Sequence, residues 1–526
     1  MTVTSNGELW SSVNDGDLLI RDIESGLILE EFSAHRANIT KIYQLDENTV
    51  VTGASDGTMK LWRLDIPRGK YSNAEQGVLY DTFVRDDIGK RNPKLLSTIV
   101  TDTQGEMLIN SPDGYYWSTP RAIHQASFLN GDELFDFSRY DYWLNRPDII
   151  LERLGKGNTA SKKLWKKMVE FRQSHQPGNP RTMPVNAIQP ELSVVGPDQI
   201  VNSQAIKIAY STNLQQAKRG RLHVRVNEVP IFGREGTAVD RSPGELQLEL
   251  IPGINRIKMY VETDKGVQSD TQYLTYNRPE SDARPDLYLL TIGVSDYEDN
   301  TLDLNYASKD AVDIKNLMAG SDKYERVFTE TLLDKQVRTS AVMKTKKFLE
   351  RSKPTDHVIV FFAGHGFLDE GNNYYFGTAN IDPARPEKRG LAYEEITNLL
   401  DGIPALNKLL MLDTCHSGEV TRTVKNITLA EGVSARGIKL KKSPRKGADL
   451  NLSFEMLQNA FTDLRASTGA TVISAAGGQE FALETNEIKN GVFTASVIKA
   501  LGEMAADING DGSISTTELR EYTYRK

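Results

Sequence analysis

Two apolar runs in the carboxyl-terminal half of the chain each stop at a reactive side chain. The run 409–412 is followed by Asp-Thr-Cys-His-Ser-Gly, which contains Cys415. The run 358–362 is followed by Ala-Gly-His-Gly, which contains His365. Short apolar runs bounded by small and polar residues are typical of buried strands. We therefore predict neighbouring parallel strands, each followed by a turn that carries a thiol or an imidazole.

Strand-like and helical patterns alternate through residues 284–526, which predicts an α/β domain with a mostly parallel sheet between helix layers. The predicted strands are 286–293, 326–333, 357–362, 374–377, 409–412 and 471–474. The predicted helices are 306–318, 337–349, 393–400, 454–464 and 492–504.

The preceding part of the chain has the pattern of an all-β protein. Residues 192–280 contain five short runs that mostly alternate apolar and polar positions, with turns between them. Such a span fits an immunoglobulin-like sandwich, although it has neither the cysteines nor the tryptophan of that fold, and a spacer or docking role is expected. Residues 73–191 mix hairpin and helical patterns, with an amphipathic helix predicted at 143–154, and are predicted to be a connecting region.

A weak internal repeat lies in residues 7–65. Asp15-Gly16 and Asp56-Gly57 stand 41 positions apart, and each precedes an alternating apolar stretch. Together with Ala34-His35 and Trp62-Arg63, this spacing resembles degraded WD-repeat propeller blades, predicted over residues 1–72. The alternative is two unrelated hairpins. Propellers typically need four or more blades, so this resemblance implies a partial propeller that other strands or a protein partner complete.

Length and charge limit the possible classes of protein. A chain of 526 residues exceeds what one core organises, so we expect three or four domains. The net charge of −8 argues against a general nucleic-acid binder. The single cysteine cannot form an internal disulfide, and no apolar run approaches the roughly 20 residues that cross a bilayer. Because the start also lacks a secretory signal, we expect a soluble, cytoplasmic protein that binds no membrane.

The two reactive motifs together resemble those of a known enzyme family. Phe362-Ala-Gly-His-Gly366 and Leu412-Asp-Thr-Cys-His-Ser-Gly418 are similar to the caspase-like cysteine peptidases, above all to the metacaspase branch. The cysteine context departs from the Gln-Ala-Cys-x-Gly of animal caspases. The resemblance covers residues 284–505, and Ser474-Ala-Ala-Gly477 and Gly491-Val-Phe-Thr494 are similar to the later core of the family. It implies an endopeptidase that acts on protein substrates.

The chemistry requires a thiolate, which an ordinary cysteine supplies only to a few per cent near neutral pH. We assign Cys415 as the nucleophile and His365 as the acid and base that moves its proton. The alternatives are a buried structural thiol and a satisfied core histidine. His416 also adjoins the thiol, but adjacent side chains on an extended backbone point apart, which favours His365. The family resemblance implies that the amides of Gly366 and Cys415 bind the oxyanion.

An acidic substrate recess is predicted from two aspartates. Asp413 lies two residues before Cys415, so on a strand it shares the face of the cysteine. The resemblance implies that this carboxylate receives an Arg or Lys side chain, with help from Asp310 on the first helix. The alternative is ordinary surface charge, which is more plausible for Asp310. We therefore expect cleavage after Arg or Lys and not after Asp.

The segment 420–452 breaks the alternating pattern and is predicted to be a loop. Residues 436–446 hold six basic side chains in eleven positions. One interpretation is a solvated loop or anion-binding patch. The other is a self-cleavage linker, because caspase-like zymogens are cut at this place and the sequence offers basic residues.

Residues 507–518 match the EF-hand calcium loop. The pattern predicts metal ligands at Asp507, Asn509, Asp511, Ser513, Ser515 and Glu518, with a sharp turn at Gly512. The alternative is an Asp/Asn/Gly turn. EF-hands usually pair, and the sequence shows no second loop, so a lone loop is expected either to bind calcium weakly or to hold the fold. Calcium control of the protease activity is a hypothesis.

Two other functions remain open from the sequence. One is a catalytically idle scaffold whose caspase-like domain only binds partners. The other is a calcium-responsive adaptor in which the β modules carry the function. The intact Cys415, His365 and Asp413 favour the endopeptidase.

Overall fold

The structure is a computed structural model that divides into two compact units, Met1–His175 and Gln176–Lys526. It describes residues 1–5, 7–63, 93–101, 106–119, 122, 127–130, 133–136, 141–155, 162, 165–166, 169–170, 190–196, 203–239, 242–279, 283–369, 373–416, 433–435, 467–475, 483–485 and 487–525.

The first unit is built from antiparallel sheets. A four-stranded sheet contains β1 (Thr2–Val3), β2 (Glu8–Val13), β3 (Asp17–Asp22) and β4 (Ile28–Ser33) in that order. A six-stranded sheet contains β5 (Ile39–Asp46), β6 (Thr49–Ala54), β7 (Thr58–Arg63), β8 (Lys94–Thr101), β9 (Met107–Asn110) and β10 (Tyr116–Ser118) as successive neighbours. β11 (Ser127–Asn130) and β12 (Glu133–Asp136) form a separate hairpin. Many β-strands in the amino-terminal part were predicted, and this coarse feature is confirmed.

A buried hydrogen-bond network joins the first strands of the six-stranded sheet. His35 Nδ1 lies 3.2 Å from Asp56 Oδ2, and its Nε2 lies 2.7 Å from Thr52 Oγ1. The Trp62 indole donates to the same Thr52 oxygen at 2.9 Å. Burial lowers the pKa of His35, so the ring is neutral, donates from Nδ1 to the carboxylate and accepts at Nε2. The sequence repeat thus marks side chains that meet in one network.

Two short helices follow in the first unit, α1 (Asp141–Leu144) and α2 (Pro147–Arg153). The pattern predicted one continuous helix from residue 143 to residue 154. Pro147 explains the difference. A proline ring fixes its own φ and disfavours helix at the preceding residue, here Arg146, but it suits the first turn of a new helix.

The second unit begins with two antiparallel sheets. One contains β13 (Glu191–Val195), β14 (Ala205–Asn213) and β18 (Gly244–Glu249). The other contains β15 (Gly220–Val226), β16 (Val229–Pro230), β17 (Thr237–Ala238), β19 (Gly253–Thr263) and β20 (Gln272–Arg278). Alternate apolar residues of both sheets form one buried cluster, which includes Ile208, Val224 and Met259. We call these two sheets the sandwich.

The sandwich also buries an ionisable pair on the opposite side of β15 and β19 from its apolar core. His223 stacks on Tyr260 with ring centroids 4.7 Å apart, and its Nε2 lies 3.9 Å from Glu262 Oε2. Burial lowers the pKa of His223 to about 4 and raises the pKa of Glu262 to about 7. Because each neutral form is favoured, the histidine is uncharged at neutral pH and the carboxyl group is partly protonated.

A larger sheet follows, whose central strands run in parallel. Its parallel strands are β21 (Leu287–Gly293), β22 (Val327–Leu333), β23 (His357–Leu368), β26 (Asn407–His416) and β28 (Thr471–Ser474), in the spatial order β22, β21, β23, β26, β28. β24 (Tyr374–Phe376) and β25 (Leu391–Ala392) extend it antiparallel from the end of β23. All seven residues of β21 are buried, as expected for a parallel strand covered on both faces. β27 (Val433–Ala435), β29 (Leu483–Thr485) and β30 (Asn490–Gly491) form a separate small sheet.

The helices near this sheet belong to two apolar clusters. They are α3 (Ala307–Ala319), α4 (Thr339–Lys344), α5 (Lys346–Leu349), α6 (Tyr393–Leu400), α7 (Val492–Gly502) and α8 (Thr516–Arg525). Ile359 and Phe361 of β23 share a cluster with residues of α3, α7 and α8. Val358 and Val360 share the other cluster with residues of α4, α5 and α6. Strict alternation along β23 therefore separates the two clusters.

The predicted bounds of two strands and one helix in this region are wrong. The strands that carry His365 and Cys415 do not end before them, because parallel pairing between β23 and β26 continues through both residues. The predicted helix 337–349 is broken at Thr345, whose hydroxyl donates to the Val342 carbonyl at 2.6 Å. Such local bonds from threonine compete with the regular helix. The predicted helix 454–464 lies outside the described residues.

The sandwich and the parallel sheet contact each other within the second unit. Leu406, directly before β26, is 5% exposed and belongs to the apolar cluster of the sandwich. Arg234 donates its backbone N–H to Asp401 Oδ1 at 3.0 Å and its guanidinium to Asn398 Oδ1 at 2.6 Å. Gly469 lies so close to Val229 that an added Cβ would come within 2.7 Å of it. These contacts fix the start of the strand that leads to Cys415.

No helix among the described residues is both long and apolar enough to span a membrane.

Candidate active site

The register of the parallel sheet brings the two reactive residues to the same level. His365 on β23 is the register partner of Cys415 on β26, and Gly366 is the partner of His416. Neighbouring strands lie about 4.8 Å apart, so the two backbones are close. The side chain of Cys415 lies outside the described part of the chain. What is established is therefore the juxtaposition of the two backbone positions.

His365 is buried and its ring is oriented by a backbone carbonyl. The side chain is 3% exposed, and Nε2 lies 2.8 Å from the carbonyl oxygen of Leu302. A carbonyl oxygen only accepts hydrogen bonds, so Nε2 carries the proton in the neutral ring. Nδ1 is then the basic nitrogen. Leu302 ends a short 3-10 turn, Asn300–Leu302, which the Asp299 side chain caps.

Tyr297 supports His365 from the same loop. The tyrosine hydroxyl accepts the His365 backbone N–H at 3.0 Å, and the two rings lie 5.3 Å apart. Gly364, with φ of 156°, allows this approach, because a Cβ there would come within 3.0 Å of the Tyr297 hydroxyl and 3.1 Å of the Phe376 ring. Neither Tyr297 nor the Leu302 carbonyl was predicted, and a backbone acceptor such as the carbonyl leaves no motif in the sequence.

Asp413 is completely buried at the end of the same strand as Cys415. One carboxylate oxygen accepts a hydrogen bond from the Thr494 hydroxyl at 2.6 Å. Thr494 is also fully buried and lies in the first turn of α7. The carboxylate predicted to receive a substrate is therefore bonded to a neighbouring helix.

Asp310, in the first turn of α3, is completely buried as well. Its Oδ1 accepts the Asn490 side-chain amide at 2.8 Å, and both its oxygens lie 3.2 Å from the Gly491 backbone N–H. Asn490 also donates to Asp313 at 2.7 Å. The alternative of a helix-surface charge at Asp310 is wrong, because no part of this side chain is exposed.

Both aspartates are therefore bonded to one segment, residues 490–494, at the start of α7. In the sequence, Gly491-Val-Phe-Thr494 carries a family resemblance, and no role was predicted for it. The preceding asparagine was missed entirely. Small polar residues just before a helix and in its first turn could have identified this segment, since such residues commonly bond to nearby groups at helix starts.

The loop Asp507–Glu518 is closed by its own hydrogen bonds. Asp507 accepts from the backbone N–H groups of Gly510 at 2.8 Å and Gly512 at 3.0 Å. Glu518 accepts from the backbone and hydroxyl of Ser515, both at 2.9 Å, and these bonds lower the pKa of Glu518. Gly512 has φ of 78°, the left-handed turn that the pattern requires there.

The oxygen donors of this loop have the chemistry that calcium prefers. The loop also holds Asn509 bonded to Asp511, and Asp511 bonded to the Ser513 backbone N–H. Within the described residues, however, no group of three or more His, Cys, Asp or Glu side chains is arranged to hold a metal ion. Calcium binding at this loop therefore stays a prediction.

The predicted linker 420–452 lies outside the described residues except for the three residues of β27. Ser417 and Gly418, which complete the cysteine motif, also lie outside them.

A family model for the caspase domain matches residues 288–517. This span contains β23, β26 and the residues that contact His365 and Asp413, and it supports a caspase-like peptidase in general. The expected resemblance to the caspase-like family is confirmed at this level.

A protein of known sequence is similar to part of the chain. The chain is 28% identical over 121 residues to Shk1 kinase-binding protein 15 of Schizosaccharomyces pombe, which covers 20% of this chain and 34% of that protein. The chain thus matches about a third of the length of that relative.

Two solved structures are also similar to parts of the chain. The fibronectin(III)-like modules of Clostridium thermocellum CbhA match with 15% identity and a TM-score of 0.14, over 17% of this chain and 98% of that one. The PKD domain of an M14-like peptidase from a Thermoplasmatales archaeon matches with 13% identity and a TM-score of 0.14, over 18% of this chain and 100% of that one. At these TM-scores neither structure supports an argument about this fold.

Proposed function

We propose that this protein is a caspase-like cysteine endopeptidase in which Cys415 is the nucleophile and His365 the acid and base. The observation that carries the proposal is the register partnership of these two residues at the ends of adjacent parallel strands, within the span that matches the caspase domain. The remainder of the large sheet then serves to hold the two backbones at a fixed separation.

The proposed reaction has two stages. Nδ1 of His365 takes the thiol proton, and the Cys415 sulfur forms a bond to the carbonyl carbon of the scissile peptide. The C–N bond then breaks, and the amine leaves with the proton from His365. Water hydrolyses the resulting thioester, with His365 taking the proton of the water and returning it to the thiol.

Orientation of the base supports this assignment. The Leu302 carbonyl accepts from Nε2 at 2.8 Å, which fixes the tautomer and stabilises the imidazolium that forms when Nδ1 takes a proton. The amides of Gly366 and Cys415 are the proposed donors to the oxyanion, a contribution of about 3 kcal/mol per donor in other proteases.

The proposed substrate preference is for Arg or Lys at the cleavage site. Asp413 lies two residues before Cys415 on β26 and accepts a hydrogen bond from the Thr494 hydroxyl, and Asp310 is bonded to the same segment through Asn490. A buried carboxylate held by neutral donors favours a cationic substrate group, because charge strongly affects interactions in a poorly solvated site.

Fluorogenic peptides that end in Arg, Lys or Asp test this function. We expect turnover of the Arg and Lys peptides at least about 100-fold faster than that of the Asp peptide, since like charges in a recess cost several kcal/mol. Equal rates would contradict the acidic recess, and no turnover under any condition would favour the idle scaffold. The same assay with calcium or chelator tests calcium control, with Glu518→Gln as the loop variant. Rates that neither calcium nor chelator changes would contradict calcium control without contradicting the peptidase function.

Calcium is the proposed ligand of Asp507, Asn509, Asp511, Ser513, Ser515 and Glu518. When bound, it would supply positive charge that draws these oxygens together. A route from the loop to the recess is available, because α7 carries Thr494 in its first turn and its last residue, Gly502, lies five residues before the loop. Leu519 of α8 is buried in the same cluster as Val497 of α7.

Self-cleavage in the segment 420–452 is part of the proposal. Intact-mass spectrometry of the purified wild type is expected to show fragments cut after Arg or Lys in this segment. The Cys415→Ala protein, purified in parallel, is expected to stay whole. An uncut wild type with full peptidase activity would leave residues 436–446 as an ordinary solvated basic loop.

The amino-terminal sheets are proposed to be partial WD-repeat-like blades that localise the enzyme or bind a protein partner, and the sandwich is proposed to be immunoglobulin-like. The network of His35, Thr52, Asp56 and Trp62 supports a blade. Two unrelated hairpins would not be expected to share a buried hydrogen-bond network. Affinity purification of the full Cys415→Ala chain with mass spectrometry would identify such a partner. Recovery of none would count against this role.

A further inference from the structure

The start of α7 holds both carboxylates of the proposed recess. Thr494 donates its hydroxyl to Asp413 at 2.6 Å. Four residues earlier, Asn490 donates its amide to Asp310 at 2.8 Å, and the Gly491 backbone N–H lies 3.2 Å from the same carboxylate. Two carboxylates from different elements, α3 and β26, therefore each accept hydrogen bonds from one short segment.

The donors of this segment match the acceptor oxygens of carboxylates. A hydroxyl, an amide and a backbone N–H all donate, and hydrogen bonds to a charged group are shorter and stronger than neutral ones. The first turn of a helix also carries partial positive charge, which favours anions nearby. Asp310, Asp413 and Thr494 are each 0% exposed, so water does not replace these bonds.

We propose that Thr494 is a positioning residue that fixes the Asp413 carboxylate for recognition of a cationic substrate side chain. This inference rests on the proposed peptidase function. Thr494 touches no reacting atom; it holds one oxygen of Asp413, which orients the carboxylate plane. Asn490 has the matching relation to Asp310.

A structural role and a positioning role of the Thr494 hydroxyl predict different results when the hydroxyl is removed. A structural bond would contribute only to stability, and its removal would leave the choice of substrate unchanged. A positioning bond sets how well Asp413 distinguishes a charged from a neutral substrate group. The two roles are told apart by the ratio of kcat/KM for an arginyl peptide to that for the same peptide ending in citrulline, which has nearly the shape of arginine without its charge.

The experiment measures this ratio in the full-length wild type, Thr494→Val and Thr494→Ser. Valine keeps the shape and removes the hydroxyl, whereas serine keeps the donor. We expect the ratio to fall roughly 10- to 100-fold in the valine variant, the range for loss of a hydrogen bond to a charged group. The serine variant is expected to retain most of the wild-type ratio.

Ser496→Ala is the matched control. Its hydroxyl lies on the same helix and donates to the helix's own Val492 carbonyl at 2.8 Å, so its removal perturbs α7 without reaching Asp413. We expect its ratio to equal that of the wild type. Thr494→Ala replaces the valine variant if the latter does not fold.

A double variant decides whether Thr494 acts through Asp413. Asp413→Asn alone is expected to lower the ratio, and adding Thr494→Val should lower it no further, because the residue to be positioned has lost its charge. An unchanged ratio in Thr494→Val, or effects of the two substitutions that simply multiply, would overturn the inference. A wild type that turns over neither peptide would instead overturn the proposed function on which the inference rests.

Discussion

Replacing His365 by glutamine is expected to lower kcat on an arginyl peptide by about 10,000-fold or more, with little change in stability. Glutamine keeps an amide that can donate to the Leu302 carbonyl, yet it cannot take a proton near neutral pH. Loss of the base in comparable triads costs about as much as loss of the nucleophile, because the two act as a unit. Cys415→Ala should therefore show a similar rate, and the double variant should be no slower than either.

His357→Gln is the matched control for this prediction. His357 begins the same strand β23, about 26 Å from His365 at the usual rise of an extended chain, and packs edge-on against Tyr324 with centroids 5.6 Å apart. We expect its kcat to stay near that of the wild type. Single-turnover assays of all variants, after circular dichroism has shown that each is folded, make the comparison.

His416→Gln tests the alternative base. His416 adjoins Cys415 in sequence and is the register partner of Gly366. A large loss in this variant with near-normal kcat in His365→Gln would contradict the assignment of the base. It would leave Cys415 as the nucleophile.

Leu406→Ala is expected to destabilise the second unit by about 2–5 kcal/mol, the range for a buried leucine cut back to alanine. Leu406 belongs to the parallel-sheet region in sequence, but its side chain lies in the sandwich core with residues such as Leu222 and Val261. The substitution therefore removes apolar contact from both sides of the boundary between the sandwich and the sheet. Urea unfolding of the full chain measures the change as a shift of the midpoint.

The control is Ile254→Ala, because Ile254 is 53% exposed on β19. Its effect should lie within about 1 kcal/mol, the small range of most surface substitutions. Leu406 stands nine residues before Cys415, so kcat of the folded Leu406→Ala protein at low urea should stay near normal. A loss smaller than that of the control would show that the sandwich is only an appended module.

The sandwich is joined to the domain that follows it. From its sequence it was expected to be a spacer or docking module, separate from the domain that follows. Three positions of that domain contact the sandwich: Leu406 packs in its core, Asp401 accepts a hydrogen bond from Arg234, and Gly469 lies against Val229. Lys408, two residues into β26, is buried beside this boundary, donates to the Thr468 carbonyl at 2.9 Å and has its pKa lowered to about 8 by burial. The strand that leads to Cys415 is thus anchored where the sandwich meets it.

The local patterns of the chain determined its strands and the identity of its reactive residues. Apolar runs such as 358–362 and 409–412 have no polar face to present to water, so they form buried strands in any arrangement. A cysteine and a Gly-bracketed histidine after two such runs already indicated the chemistry, and the caspase-domain match agrees with it. The repeat around His35 and Trp62 likewise marked residues that meet in space.

Tertiary structure alone decided what surrounds those residues. The partner of His365 is a backbone carbonyl at Leu302, and carbonyls are the same in every residue, so no sequence pattern identifies it. The partner of Asp413 is Thr494, 81 positions later, and only the packing of α7 against the sheet brings the two together. The burial of Asp310 follows from the same packing. Sequence periodicity is a property of one element, whereas these contacts depend on the relative position of several, and that is fixed only when the whole sheet assembles.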